Sequence, residues 1–300
     1  MDPVMALAGL GVGVIVGLTG MGGGALMTPI LVLFFGVPPL AAVSSDLAAS
    51  AVMKPFGGWV HARRGTVNWA LVRWLCLGSV PSAFAGVLLM RALGGGDGVQ
   101  QVVKVALGVA LLLAVGGLLY KTYSRRSTQA TGAITDVEVR PVPTVLLGAL
   151  GGLVVGMTSV GSGSLIIVIL LALYPMLRAN DLVGTDLVQA IPLVAAAALG
   201  HAIFGDLQLD LAGAVLLGSV PGVLIGARLS SRAPAGVVRA ALIIVLLASA
   251  LKLFDVPTVP VLTIVAVAVA VAVFEGWRRS RTEPEVAVIG QPETGVQTRR

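Results

Sequence analysis

The sequence predicts an all-α membrane protein that crosses the bilayer several times. Hydrophobic residues make up 57% of the 300 residues, charged residues only 11%, and the mean hydropathy is +0.99. A soluble domain carries about 25% charged residues, so this chain has too few polar side chains to cover a water-exposed surface. Apolar runs of about 20 residues, the length that a helix needs to cross a bilayer, recur along most of the sequence.

Charge, cysteine content and motifs narrow the functional classes. The net charge is +6, but the basic residues lie mostly in short loops and in the C-terminal tail, as membrane topology requires. No basic face or aromatic platform accompanies them, so we expect no nucleic-acid binding. The single cysteine, Cys76, excludes an intramolecular disulfide and a cysteine metal cluster. Without a nucleotide-binding motif, zinc motif or nucleophile triad, the sequence predicts no enzyme, metal or cofactor.

Two halves of the chain repeat one pattern. Residues 9–91 align with residues 148–231, and the matches fall on Gly, Pro, His and Asp positions. Examples are Gly9 with Gly148, Gly24 with Gly163, Asp46 with Asp186, His61 with His201, and GSVP at 78–81 with GSVP at 218–221. Internal duplication is a recurring feature of secondary transporters.

The repeats define the expected organisation of the chain. We predict a first transmembrane repeat over 1–120 and a second over 143–253, joined by a polar cytoplasmic linker at 121–142. An extra transmembrane helix is expected within 254–277 and a disordered cytoplasmic tail at 278–300. The predicted spans are 42–62, 67–92 and 99–120, then 183–204, 211–230 and 237–253, with the extra span at 258–277.

The first segment of each half is broken by glycine. Residues 5–35 and 144–177 are too long for one span, and glycines divide each into two arms of about a dozen residues, over half the thickness of the hydrocarbon layer. Each segment is therefore either a broken helix that crosses the membrane or a re-entrant hairpin that enters and leaves on one side.

Loop charges favour the hairpins. Both counts leave out Lys54, which lies deep in a span, and Arg299 and Arg300 at the end of the tail. If both segments cross, the remaining basic residues divide eight to nine and specify no orientation. If both are re-entrant, one side carries fourteen bases and the other three. The fourteen are Arg63, Arg64, Arg73, Lys121, Arg125, Arg126, Arg140, Arg178, Arg228, Arg232, Arg239, Arg278, Arg279 and Arg281, and the three are Arg91, Lys104 and Lys252. This arrangement inverts the second repeat relative to the first, with the N-terminus outside and the C-terminus in the cytoplasm.

The hairpin tips are the predicted substrate site. A helix that begins after a break presents free backbone N–H groups and the positive end of its dipole, which suit an anion. Two such ends, near Gly24 and Gly163, would converge at the bilayer midplane; alternatively, the glycines only permit close packing or a kink. The candidate substrate-binding residues are Thr19, Gly20, Gly22, Gly23, Gly24, Thr158, Ser159, Gly161, Ser162, Gly163, Ser164 and Lys54.

Charged residues inside the spans are further candidates. Lys54 is the only base near the middle of a span, and it is either a counter-charge for an anion or a lysine that lines a wet vestibule. Asp46 and Asp186 hold matching positions where a span is expected to begin, so they are either helix caps or coupling and gating residues. Gln189, one turn after Asp186, is a candidate pathway residue. For His61 and His201 we expect hydrogen bonds between helices rather than metal binding, with proton coupling left open.

The motifs of both halves resemble one family. GLTGMGGGALMTP at 17–29 and GMTSVGSGSLIIV at 156–168, followed by SSDLA or GTDLV and later by GSVP, resemble the TauE/SafE sulfite exporter family over roughly residues 5–253. The resemblance implies transport of small sulfur anions, such as sulfite, thiosulfate or sulfonates, across the cytoplasmic membrane of a prokaryote. It does not transfer a direction, because the family includes proposed exporters and proposed importers. It also implies a duplicated four-helix unit.

The sequence therefore predicts a secondary transporter of a small anion that binds between two Gly-rich hairpin tips. A passive anion channel built on the same hairpins is the alternative, and a membrane-embedded assembly factor is a third. The expected partners are the anion, the lipid bilayer, a coupling ion such as the proton and, in a homo-oligomer, further copies of the chain.

Overall fold

The computed structural model describes residues 3–19, 23–94, 96–123, 138–161, 163, 165–174, 177, 179–204, 207–229 and 235–282. Over these residues the chain forms eleven α-helices, and its only β-type pairing is an isolated bridge between Gly161 and Gly163. Six of the described helices are long and apolar enough to cross a membrane, judged by length and composition. The fold is therefore all-helical, in agreement with the expected polytopic membrane protein.

The helices follow the predicted order. The first five are α1 Pro3–Thr19, α2 Gly24–Phe34, α3 Pro39–Arg63, α4 Trp69–Ala92 and α5 Asp97–Tyr123. The next five are α6 Pro141–Thr158, α7 Leu165–Leu173, α8 Ala179–Phe204, α9 Leu209–Leu229 and α10 Ala235–Leu253. The last is α11 Thr258–Thr282.

Helix lengths differ from the prediction at three places. The first arms α1 and α6 have 17 and 18 residues, whereas the second arms α2 and α7 have 11 and 9, so the arms are not equal. The expected linker loses residues at both ends, because α5 runs to Tyr123 and α6 begins at Pro141. The expected tail loses its first five residues, 278–282, to α11. Residues 124–137 and 283–300 lie outside the described part.

Glycines hold the first helix of each half against a helix of the other half. α1 packs along α9, and a Cβ at Gly13 would overlap the carbonyl oxygen of Ser219. α6 packs along α4 in the same way, where a Cβ at Gly152 would overlap the carbonyl oxygen of Ser79. Small residues allow such backbone-to-backbone contact between membrane helices. Gly13 aligns with Gly152 and Ser79 with Ser219, so the two contacts use equivalent positions.

Helix directions follow from the contacts of α8. The end of α3 lies beside the beginning of α8, because a Cβ at Gly184 would lie 2.7 Å from the Thr66 carbonyl oxygen, just past the end of α3. These two helices are therefore antiparallel. α4 is parallel to α8, since the Asn68 N–H donates to Thr185 Oγ1 over 3.0 Å at one end and Arg91 donates to the Phe204 carbonyl oxygen at the other.

The two ends of the α6–α7 segment lie close to each other. The backbone N–H of Arg140, just before α6, donates to the hydroxyl of Tyr174, just after α7, over 2.9 Å. The same hydroxyl lies 2.7 Å from Thr144 Oγ1. Both ends of this broken segment are thus within one side-chain length of each other.

Candidate functional site

Asp46 lies between the two Gly-broken segments. Its side chain is fully buried, and its Oδ2 accepts hydrogen bonds from Ser159 Oγ over 2.6 Å and from Thr28 Oγ1 over 3.0 Å. Ser159 follows α6, while Thr28 is in α2. One carboxylate oxygen therefore joins the break of the second half to the second arm of the first half.

The capping interpretation of both aspartates is wrong. α3 begins at Pro39 and α8 at Ala179, so Asp46 and Asp186 lie about two turns inside their helices, beyond the N-terminal N–H groups that a cap could reach. Their carboxylates bind partners on other segments or on their own helix face instead. The coupling and gating role remains a prediction.

The second oxygen of Asp46 is different from the first. Within the described residues, Oδ1 is buried and has no hydrogen-bond partner. It points toward Gly23, the residue that precedes α2, since a Cβ built on Gly23 would lie 3.8 Å from it. A buried carboxylate oxygen without a donor is costly, which makes it a feature that needs a functional explanation.

Asp186 has a fuller set of donors. Its Oδ1 accepts from Gln189 Nε2 over 3.1 Å, and its carboxylate also accepts from the backbone N–H of Gly163. Gln189 in turn accepts from Ser79 Oγ over 3.4 Å, so it connects α8 to α4. Gln189 thus positions Asp186 and Ser79.

Lys54 provides the positive charge of the site. It lies on α3 and is only 8% exposed, and its charge acts on both Asp186 and Asp46. The carboxylates partly offset the cost of burying an ammonium group, as buried charges require. Its role as a counter-charge for a substrate anion remains a prediction.

The two breaks touch each other. A Cβ at Gly24, the first residue of α2, would overlap the carbonyl oxygen of Ser159. Ser159 has a left-handed backbone with φ of 59°, and it ends α6. Because only glycine leaves room at position 24, the N-terminus of α2 lies directly against the end of α6.

The remaining candidates of the second break shape the backbone. Thr158 Oγ1 lies 2.6 Å from the Val154 carbonyl oxygen and 3.1 Å from that of Val160, so this hydroxyl is used within its own segment. Gly161 and Gly163 have φ of 137° and 92°, which other residues rarely adopt. Gly161 accepts from the backbone N–H groups of Leu165 and Ile166 where α7 begins.

Five predicted site residues lie wholly or partly outside the described structure. Gly20, Gly22, Ser162 and Ser164 lie outside the described residues, and for Thr19 the backbone alone is described, as the last residue of α1. Their roles stay predictions.

The histidines make local contacts. His201 Nε2 on α8 lies 3.1 Å from the Gly156 carbonyl oxygen on α6, which confirms the expected hydrogen bond between helices. His61 Nδ1 instead lies 2.9 Å from Thr66 Oγ1, in the loop after its own helix. Across the described residues, no three His, Cys, Asp or Glu side chains are grouped as a metal site.

Two hydroxyl residues of the site are absent from the sequence-based candidates. Thr28 donates to Asp46 and Ser79 donates to Gln189, and the bond from Ser159 to Asp46 is likewise not predicted. The available signal was that Asp46 is the only acidic residue in the 25 residues of α3. A lone carboxylate in an apolar helix needs polar partners, and nearby hydroxyls are the natural donors.

Comparisons with known proteins identify the family. The family described as Sulfite exporter TauE/SafE matches residues 5–253. A probable membrane transporter protein of Bacillus subtilis (strain 168), YjnA, is 38% identical over 255 residues, covering 84% of this chain and all of the relative. A second one from the same organism, YdhB, is 25% identical over 77% of this chain and 91% of its own.

A third relative comes from an archaeon. The probable membrane transporter protein MJ0441 of Methanocaldococcus jannaschii is 29% identical over 59% of this chain and 64% of its own. No solved structure matches this chain. The relatives are named as probable membrane transporters, so the family is one of transporters rather than enzymes. The buried charges and glycine contacts described above lie within the matched range. The chain therefore belongs to the TauE/SafE sulfite exporter family of membrane transporters.

Proposed function

We propose that this protein is a secondary transporter of a small anion, a sulfur oxyanion or organosulfonate such as sulfite, thiosulfate or a sulfonate. The observation that carries the proposal is the contact between the two breaks, where Gly24 at the start of α2 lies against Ser159. The name of the family supports the substrate class.

The chemistry of the breaks suits an oxyanion. α2 and α7 each begin at a break, so each directs backbone N–H groups and the positive end of its dipole into the interior of the molecule. Lys54 adds a buried positive charge near both aspartates. An oxyanion bound there would accept hydrogen bonds from backbone N–H groups that glycine leaves uncovered.

We further propose that α1–α2 and α6–α7 are re-entrant hairpins of inverted repeats in the cytoplasmic membrane. The bond from Arg140 to Tyr174 supports a segment that enters and leaves on one side. The directions of α3 and α4 relative to α8 are those that an α6–α7 hairpin requires, whereas an α6–α7 segment that crosses the membrane would reverse both. The N-terminus would be outside and the C-terminus cytoplasmic, with access alternating by motion between repeats.

Counterflow in proteoliposomes tests the transport function. Vesicles that contain the purified chain are loaded with unlabelled sulfite, thiosulfate or methanesulfonate, and entry of the radiolabelled anion is followed. A carrier gives saturable, transient accumulation of label above equilibrium. Label that only equilibrates, without saturation, indicates the channel alternative. No movement of any of the three anions contradicts the proposal.

Two lysine variants make the test specific. Lys54→Gln is expected to lower counterflow at least about tenfold, because a hydrogen bond to a charged group contributes about 1.5–3 kcal/mol. Lys104→Gln is the matched control, since Lys104 pairs with Asp255, whose side chain is 68% exposed. Exposed ion pairs contribute about 0–1 kcal/mol, so this variant should transport like the wild type.

A further inference from the structure

We propose that Asp46 carries the proton that accompanies the anion, with Oδ1 as the proton site, so that the protein is a proton–anion symporter. The inference rests on the proposed transport function. It names the proton as the coupling ion and Asp46 Oδ1 as the atom that carries it.

Charge balance at the site leads to a proton. Asp46 and Asp186 bring two negative charges into the interior, and Lys54 brings one positive charge. With both acids ionised, this group has a net charge of −1 before any substrate enters. An anion at the adjoining breaks would then be repelled by a like charge in a medium that screens charge poorly. One proton on one aspartate restores a neutral group.

The two aspartates differ in their ability to take that proton. Asp186 accepts hydrogen bonds from Gln189 Nε2 and from the Gly163 N–H, and the charge of Lys54 acts on it. Asp46 receives both of its hydrogen bonds on Oδ2, from Ser159 and Thr28. Its Oδ1 has no donor among the described residues, so a proton there displaces none of these hydrogen bonds.

The protonated oxygen would face the substrate. Oδ1 points toward Gly23, next to the N-terminus of α2. A protonated carboxyl group is a hydrogen-bond donor, whereas a carboxylate only accepts. The same proton therefore removes a repulsion and adds a donor for an anion oxygen, which couples binding of one proton to binding of one anion. On the other side of the membrane, release of the anion returns the proton from Oδ1 to water.

Few other ionisable groups act on Asp46. α3 packs against α2, α5, α8 and α9. α2 has no ionisable side chain, and Asp97 and Lys104 lie in the first third of α5. On α8 the facing groups are Asp186, whose charge also acts on Lys54, and His201, which contacts the Gly156 carbonyl oxygen. On α9, Asp210 lies in the first turn and Arg228 in the last turn. Lys54 is the charge that acts on Asp46 directly.

The experiment separates exchange from proton-driven accumulation. Proteoliposomes are given an inward proton gradient at zero membrane potential, set with valinomycin and equal potassium, and a pH dye inside reports proton entry. The probe is thiosulfate, or methanesulfonate if counterflow selects it, because neither titrates near neutral pH. The wild type is expected to accumulate the anion up to about tenfold per pH unit, with matching proton entry.

Asp46→Asn mimics the protonated acid without releasing a proton. We expect its counterflow to be reduced but still measurable, because the amide keeps a hydrogen-bond donor, while accumulation and proton entry are lost. Asp255→Asn makes the same change at an exposed acid and should behave as wild type. Ser159→Ala keeps the acid but removes a donor to Oδ2, so the pH profile of uptake should move to more alkaline pH.

The outcomes distinguish the two proposals. Wild-type counterflow without proton entry overturns the symport inference and leaves the transport function in place. Proton-driven accumulation by Asp46→Asn, or an unmoved pH profile in Ser159→Ala, overturns the assignment to Asp46. Absence of counterflow for every sulfur anion overturns the transport function and this inference with it.

Discussion

At the contact between the breaks, the positions of a few atoms determine which glycine can be replaced by a larger residue. The carbonyl oxygen of Ser159 occupies the place that a side chain on Gly24 would need. The neighbouring Gly23 has ordinary room, since the nearest atom to its Cβ position is Met53 Cε at 3.7 Å. Two adjacent glycines therefore have different physical roles.

Gly24→Ala and Gly23→Ala test this difference. We expect Gly24→Ala to destabilise the protein by about 1–3 kcal/mol, as overpacking does, because α2 must move away from Ser159. Gly23→Ala should be within about 0.5 kcal/mol of wild type, since its backbone is right-handed with φ of −59°. Thermal unfolding in detergent measures both. Equal stabilities would contradict the contact.

At the residue scale, the sequence allowed us to predict the helix breaks but not the hydrogen bonds around them. The breaks were recognisable because glycine clusters interrupt apolar runs, and the helix start at Gly24 follows from them. Helix capping, one of the two interpretations of the aspartates, is wrong because α3 begins at Pro39 and α8 at Ala179, several residues before the predicted spans. The partners of Asp46 were not predictable, because Ser159 is 113 positions away along the chain.

At the scale of elements, the fold depends on glycine faces between parallel helices. Gly9 and Gly13 on α1 lie against α9, while Gly11, between them, has no atom within 4 Å of its Cβ position. The helical period explains this, since residues four apart share a face and the residue between them points elsewhere. Because the first helix of each half packs against a helix of the other half, the two halves form one structure.

Gly13→Ala and Gly11→Ala form a matched pair on one helix. Both gain the roughly 1 kcal/mol of helix propensity that alanine has over glycine. Only Gly13→Ala places a methyl group against the backbone of Ser219, with its Cα at 2.9 Å. We expect Gly13→Ala to lower the unfolding temperature and Gly11→Ala to leave it unchanged or raise it. The interface would be misassigned if both variants unfold alike.

Whole-molecule features were predictable to different degrees. Most spans and their order were predictable because length and hydropathy determine them, and five of the six candidate spans fall on predicted spans. The sixth, Pro141–Thr158, is the first arm of a predicted hairpin, and the predicted spans 42–62 and 258–277 are not among the six. The pairing of α1 with α9 and α6 with α4 was not, because glycine spacing shows that a face packs closely and not which helix it meets. Arm lengths were misjudged because α6 begins at Pro141, before the predicted segment, and α7 covers only Leu165–Leu173.

Membrane topology makes the last prediction, because the two arrangements of the broken segments place loops on different sides. Single cysteines are introduced at Pro38, Arg64 and Gln208, which are exposed, after Cys76 is replaced by serine. Hairpins put positions 38 and 208 outside and position 64 in the cytoplasm, whereas crossing segments put 64 and 208 on one side. We expect an impermeant thiol reagent to label 38 and 208, but not 64, in intact cells, and all three after permeabilisation. Labelling of 64 together with 208 would contradict the hairpins, because the two positions share a side only if α6–α7 crosses the membrane. Such a crossing would reverse α8 relative to α3 and α4, whereas the contacts of Gly184, Asn68 and Arg91 fix those directions.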